Sequence, residues 1–409
     1  MKVAFVSTYP PAPCGIGDYT RALRHAVEGV AADTTVEVVA ERHVSVTSEV
    51  DPGVARVWQR GTAWEGPAAA AVLALRPDVV HIQHEEAILN QNGRLIRFLE
   101  AMGKAGVARV LTLHSVYGGR FGVPFWWPPP MFHRAMAANA EAIVVHQHQG
   151  GRDFLERQGV PPNKIHVIAH GTPHVDGGPR QAARASLSIP IDAKMALFFG
   201  VIHKKKNLHT LLVAAPAVAA RVPGFRLVIA GQLRARTVLD ALYGRRLARA
   251  MRSGLEAGWL DFRNGYIPAD EIATYLSAAD IVLFPHDQRY GSASGVFHLA
   301  LGAGRATVCS SSPKFGEARE IFGRQIPAAF APARDPAAWA TAIETMLMSE
   351  PLRLEAEALA REAARATSWP MLGTRYNQLY RQVASQSAVE SVAKSATTTG
   401  DAARGTPPA

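Results

Sequence analysis

The chain has 409 residues, 48% of them hydrophobic and 19% charged. At about 150 residues per domain that is two to three domains with sizeable cores, which excludes global disorder and the collagen-like and low-complexity classes. Two cysteines, Cys14 and Cys309, are too few for a disulfide scaffold or a structural zinc site, and the net charge of +10 suits an anionic partner: a phosphate ligand, an acidic membrane surface or nucleic acid.

The N-terminus, MKVAFVSTYPP, reads as a first strand rather than a signal peptide, because its apolar run is short and no cleavage pattern follows. No stretch of about 18 uncharged apolar residues suggests a membrane span. A cytoplasmic setting is expected. Short Val/Ile/Leu runs then alternate with helical patterns. Strands are expected at Lys2–Ser7, Thr35–Ala40, Asp78–Gln83, Ala108–Leu113, Ala142–His146 and Lys164–Ala169, with helices over Tyr19–Val30 and Asn90–Ala105. Near-continuous apolar strands are what a parallel sheet covered on both faces requires.

Residues 172–192, rich in Pro, Gly and Ser, read as a linker. The rhythm then restarts. Strands are expected at Ala196–Ile202, Arg226–Ala230, Leu260–Asn264, Asp280–Phe284 and Ala306–Ser310, with a helix over Asn207–Arg221. Two doubly wound α/β domains follow, with ligands bound outside the carboxyl ends of strands. Pro336–Ala366 is helical in composition. Trp369–Val383 is a second amphipathic segment, and the Ser/Ala/Thr/Gly tail from Ser385 is expected to be disordered.

Five loops at strand ends carry candidate chemistry. Gly15 and Gly17 precede a helix, where backbone N–H groups meet anions, although the spacing is not a dinucleotide fingerprint. His84 and His114 each close a strand. Glu85 and Glu86 beside His84 would suit a metal, but no second ligand cluster supports one. Lys204–Lys206 just before a helix make a positive field that reads as a phosphate cradle or as a solvated basic turn. Gly291–Gly295 are five small residues at a helix start, more than a serine cap requires, and fit a diphosphate.

The ordered set of segments TYPPAPCGIGDYT, IQHE, TLHS, IAHGTP, FFGVIHKKKNL, LVIAGQL, NGYIPADEIATYLSAADIVLFP and SASGVFHLALGAG resembles glycosyltransferase family 4, of GT-B fold. The resemblance covers residues 1–383. It implies two Rossmann-like domains facing across a cleft: 1–175 on the acceptor side, a linker at 176–192, and 193–365 on the nucleotide-sugar side. It also implies a helix at 366–384 crossing back onto the first domain, ahead of the tail at 385–409. By that resemblance Gly15, Ile16 and Gly17 lie near donor phosphates and acceptor, His114 and His84 near the sugar or acceptor, and Lys206 on the phosphate. His203 stands where relatives carry Arg. Ser292, Ser294, Gly295 and Val296 hold the diphosphate, and Gly231, Asn264, Tyr266 and Ile267 lie near the base. No metal or other cofactor is implied beyond the nucleotide diphosphate sugar itself.

Two departures stand out. Many members carry a pair of Glu eight positions apart around the last helix, for sugar and ribose; here those positions are Gly291 and Leu299. The Arg that usually follows Gly200 is Val201. The expected activity is retaining transfer of a hexosyl unit to a glycan or lipid-linked acceptor, in bacterial surface polysaccharide or glycoconjugate assembly. The alternative is a catalytically weak homologue acting as a nucleotide-sugar-binding partner subunit. The charge, with Phe125–Pro130 (FWWPPP), suits peripheral contact with anionic lipid at the inner membrane face. Nucleic-acid binding rests on charge alone, since the basic residues read as scattered rather than striped.

Overall fold

The computed structural model describes residues 1–42, 51–89, 93–117, 130–234 and 237–402. The FWWPPP stretch named above falls outside them, apart from the backbone of Pro130. The chain divides into two compact units, Met1–Gly171 with the segment from Trp369 onward, and Thr172–Ser368.

The first unit is built on parallel strands β1 (Lys2–Ser7), β2 (Thr35–Glu41), β3 (Val54–Trp58), β4 (Val79–His84), β5 (Ala108–Leu113), β6 (Ala142–Val145) and β7 (Ile165–Val167). Their order is β3-β2-β1-β4-β5-β6-β7 among the described residues. Val3 sits between Val36 and Val79, so the central register sets valine beside valine. Alternate residues feed two cores. Val6, Val39, Ile82 and Leu111 face one side, and Phe5, Val38, Val110 and Val144 face the other. The second side is covered by the helices Gly15–Val30 and Trp369–Ala402, through Tyr19, Leu23 and Val27 with Leu372, Tyr376 and Tyr380. Any Cβ at Gly373 would strike the Ala26 carbonyl, so glycine there sets how closely these two helices pack.

The second unit repeats the plan with β8 (Lys194–Phe199), β9 (Phe225–Ala230), β10 (Leu260–Arg263), β11 (Ile281–Phe284), β12 (Ala306–Ser310) and β13 (Phe330–Ala331). The order is β10-β9-β8-β11-β12-β13, again parallel. One core of Val, Leu, Ile, Phe and Ala runs through it. Two doubly wound α/β units are therefore present as expected, with β8 and β1 at corresponding central positions.

Several expectations need correction. The first unit ends at Gly171, not 175. The stretch read as a linker contains the helix Arg180–Ser186. Its Arg184 is buried, giving hydrogen bonds to the Ala278 and Ala193 carbonyls and a 2.8 Å ion pair to Asp280. Pro and Gly flank this helix and disguise it. The tail from Ser385 continues the helix that starts at Trp369 as far as Ala402, because no Gly or Pro interrupts residues 385–399. Pro336–Ala366 is two helices, broken at Ser349, whose hydroxyl caps Leu352 N–H. The edge strand β3 and the short β13 have no counterpart among the expected strands. Among the described residues, no helix is long and apolar enough to cross a membrane.

Candidate functional site

In the second unit, four strand ends converge on one basic basin. Strand β8 runs into Gly200, β11 into Pro285 and His286, β9 into Gly231, and β12 ends at Ser310. Gly231 adopts φ 153° and any Cβ there would collide with the Gly200 carbonyl oxygen, so the two loops approach as only glycine permits. A Cβ on Gly200 (φ 111°) would lie 3.6 Å from Val296 Cγ1, which places the end of β8 against the start of the helix Gly295–Gly302.

Lys204–Lys206 form a single 3-10 turn closed by Asn207 in the left-handed region (φ 52°). Asn207 fixes that turn: Nδ2 donates to the carbonyls of Pro285 (3.1 Å) and Ala333, and Oδ1 accepts from Thr210 Oγ1 at 2.9 Å. The Asp287 N–H donates to the Lys205 carbonyl at 3.0 Å, tying the lysine turn to the loop after β11. Lys206 is partly buried and has no ion pair among the described residues. Burial alone lowers its ammonium to about 8. His203 is lowered to about 4, by burial first and then by Lys206, Arg234 and Lys205.

Sequence reasoning missed two residues of this basin. His286 is 2% exposed, and neither ring nitrogen has a hydrogen-bond partner. Its ring stacks on Phe284 and lies 5.2 Å from that of Phe315. Burial, followed by Lys206, Lys314 and His203, holds the imidazole well below its ordinary value. Lys314 Nζ donates to Ser292 Oγ and to the Ala293 carbonyl, both at 2.9 Å. Lys206 and Lys314, which holds the Ser292–Ala293 loop, thus both act on the same buried imidazole through their charge. His286 lies five residues before the Gly291–Gly295 run, and only burial marks it. Lys314 lies in another loop, and nothing local signalled it.

Ser294 stands at the N-cap of the helix Gly295–Gly302, yet its side chain makes no capping bond. The Phe297 and His298 N–H groups bond the Ser294 carbonyl, and the amides of Gly295 and Val296 are left without a capping side chain. Ser292 Oγ accepts from Gln288 Nε2 (2.7 Å) as well as from Lys314, so it braces the loop and keeps only its own hydrogen to donate. Gly291 is buried, and Leu299 packs partly buried against the second unit's core. Beside it, His298 bonds Thr172 and Glu317 and is part of the scaffold. Asn264 Oδ1 accepts from Leu233 N–H at 3.2 Å, Ile267 is half-buried, and Tyr266 is exposed.

In the first unit, Gly15 begins the helix Gly15–Val30 in open space. A Cβ on Gly17 would lie 3.3 Å from the Tyr9 backbone, so the helix start rests on the loop after β1. His114, just past β5, is buried. Its Nε2 lies 2.9 Å from Gln83 Oε1, its Nδ1 lies 3.3 Å from His146 Nε2, and the Tyr19 ring packs edge-on. Burial, then His146, His81 and His84, keep it neutral. Both nitrogens are engaged within the protein, so a sugar hydroxyl would have to displace Gln83 or His146 to bond it. His84 differs: it is buried with both nitrogens unpartnered, lowered to about 3 by burial and then His133. Glu86, two residues on, has both carboxyl oxygens buried and unpartnered. Burial and then Glu85 raise it to about 9, so it is a protonated donor at neutral pH. Among the described residues no group of three His, Cys, Asp or Glu is arranged to hold a metal.

Comparison with known proteins brings these features together. Residues 193–349 match the model described as glycosyl transferases group 1, and residues 16–174 match glycosyltransferase family 4. A D-inositol 3-phosphate glycosyltransferase of Corynebacterium aurimucosum is 26% identical over 258 residues, covering 59% of this chain and 57% of the relative. The one from Thermobispora bispora is 26% identical over 256 residues, covering 59% and 56%. The chain thus spans a little over half the length of the curated relatives it matches. Sucrose-phosphate synthase from Thermosynechococcus elongatus aligns with a TM-score of 0.71 at 18% identity, over 94% of this chain and 99% of that one. HepE of Anabaena, in complex with UDP-glucose, aligns with 0.67 at 15% identity, over 94% and 100%.

Proposed function

Because the chain belongs to the group 1 glycosyltransferases of family 4, we propose that it is an enzyme moving a hexosyl unit, with retention, from a nucleotide diphosphate sugar to a glycan or lipid-linked acceptor. The observation that carries this reading is the basin around His286. A buried imidazole without a partner is faced by Lys206, Lys314 and His203, and an uncapped helix start adjoins it. A buried imidazole and a buried ammonium left without partners are costly, and a diphosphate would satisfy His286 and Lys206 together.

The chemistry follows from charge. As the sugar C1–O bond to phosphate breaks, the nucleoside diphosphate gains negative charge, and Lys206 with the amides of Ser294–Val296 meets it. Lys314 acts by holding the Ser292–Ala293 loop in place. The acceptor hydroxyl attacks C1 from the face the phosphate leaves, and its proton passes to the departing phosphate oxygen. No protein nucleophile and no metal enter this scheme. On the acceptor side, neutral His84 and protonated Glu86 suit hydroxyl groups. The UDP-glucose complex of HepE makes UDP-glucose the first donor to try. Bacterial surface glycoconjugate assembly at the cytoplasmic face of the membrane is the setting this reading favours.

A mass-spectrometric assay of UDP- and GDP-hexose turnover tests it. Release of UDP or GDP that is lost in Lys206→Met supports the reading, and no turnover of any donor overturns it. A second reading, a nucleotide-sugar-binding partner subunit, is favoured by Gly291 and by Leu299, whose side chain packs on the core. It predicts tight nucleotide binding without turnover.

A further inference from the structure

The helix Val238–Glu256 of the second unit presents a face that none of the described residues covers. Its start is set by a capping box between Thr237 and Asp240. Leu247, Met251 and Gly254 are buried against the unit. At 3.6 residues per turn, Val238, Leu242, Arg245, Arg249 and Arg252 fall on the opposite side, with Leu239 and Arg246 flanking them. Val238, Leu239 and Leu242 are 78%, 76% and 49% exposed. Three bare aliphatic side chains thus cluster in the first two turns, while the exposed positions of the later turns include Arg245, Arg246, Arg249 and Arg252, with Leu255 47% exposed near the far end.

All four arginines are exposed, and none makes an ion pair or hydrogen bond among the described residues. The acidic residues on this helix are Asp240, engaged in the cap, and Glu256 at the far end. The basic residues that read as scattered along the sequence therefore include a stripe once they are placed on this helix.

We propose that this face docks on an anionic phospholipid surface, with Val238, Leu239 and Leu242 entering the headgroup–acyl boundary and Arg245, Arg246, Arg249 and Arg252 meeting lipid phosphates. The combination selects the partner. A nucleic acid would use the arginines and leave the aliphatic trio in water. A second copy of the chain, meeting this face symmetrically, would set arginine against arginine. Anionic lipid satisfies both halves, because basic residues near such a surface are attracted while aliphatic tips gain by burial. The inference deepens the lipid-linked-acceptor reading but is tested without donor or acceptor, so vesicle binding and turnover can fail separately.

The test is sedimentation of the full chain with vesicles of equal parts phosphatidylcholine and phosphatidylglycerol, against phosphatidylcholine alone. The chain is expected to pellet with the anionic vesicles only, and less so in high salt. The triple variant R245Q/R249Q/R252Q should weaken binding about a hundredfold, at roughly a factor of five per arginine. V238S/L239S/L242S should also release the chain, leaving its far-UV circular dichroism unchanged. A chain that stays in the supernatant with anionic vesicles, or an arginine variant that binds like the parent, overturns the inference. So does arginine-dependent binding of duplex DNA without vesicle binding, or a solution dimer dissolved by the serine variant.

Discussion

Lys206→Met keeps most of the side-chain volume and removes the charge from the basin. Its effect can be sized from the structure. Burial without a counter-ion lowers the ammonium from 10.5 to about 8. At about 1.4 kcal/mol per unit, this is on the order of 3 kcal/mol of uncompensated desolvation. An arriving diphosphate recovers much of it, so the methionine variant should bind UDP or GDP roughly a hundredfold more weakly. The sign of the pH dependence follows. In the free protein Lys206 is charged below about 8 and loses its proton above it, whereas the bound anion raises the lysine back toward its ordinary value. Affinity should be flat below pH 8 and fall by up to about tenfold per pH unit above it. The methionine variant should show no such fall. Isothermal titration calorimetry of UDP and GDP on both proteins, at pH values on each side of 8, reads both effects. A variant that binds within about twofold of the parent, or a parent affinity unchanged across pH 8, refutes the reasoning.

His286→Phe places a third aromatic ring beside Phe284 and Phe315; it should raise the apparent melting temperature of the ligand-free protein while weakening nucleotide binding about tenfold, both visible by thermal shift with and without UDP. Glu86→Gln should stabilise the protein at neutral pH. The native carboxyl is raised to about 9, above its unfolded value near 4.5, so the parent is progressively destabilised as pH rises through that window. The gain should be about 1–3 kcal/mol at pH 7 and vanish toward pH 4.5 in urea denaturation. Gly231→Ala should destabilise the second unit by about 3 kcal/mol or abolish folding, because the close approach to Gly200 and the positive φ leave no room for a methyl group. A soluble variant with an unchanged urea midpoint would contradict that account.

The strand–helix alternation was legible because short apolar runs, repeated between longer helical patterns, are what parallel strands covered on both faces look like. Lys2–Ser7, Ala108–Leu113 and Ala306–Ser310 lie where those runs placed them. The helix Arg180–Ser186 was not legible. Its place in the fold comes from Arg184 reaching Asp280, ninety-six residues away. The extension of the last helix to Ala402 was hidden because a Ser/Ala/Thr composition fits both a coil and a helix with nothing to stop it.

At the site, the local motifs marked Lys206, His203 and the Ser292–Val296 turn, since a cation or a run of small residues before a helix states its chemistry within a few positions. Lys314 and His286 carry no such mark. Lys314 reaches Ser292 from twenty-two residues away, and His286 matters only because burial strips both its nitrogens of partners. His114, singled out from its strand end, is already engaged by Gln83 and His146. Composition and periodicity are local properties, and by themselves they determined the two wound sheets and the loops at their carboxyl ends. Which polar groups are left unsatisfied, and which arginines share a face, depends on burial and on distant partners, and only the folded chain decides it.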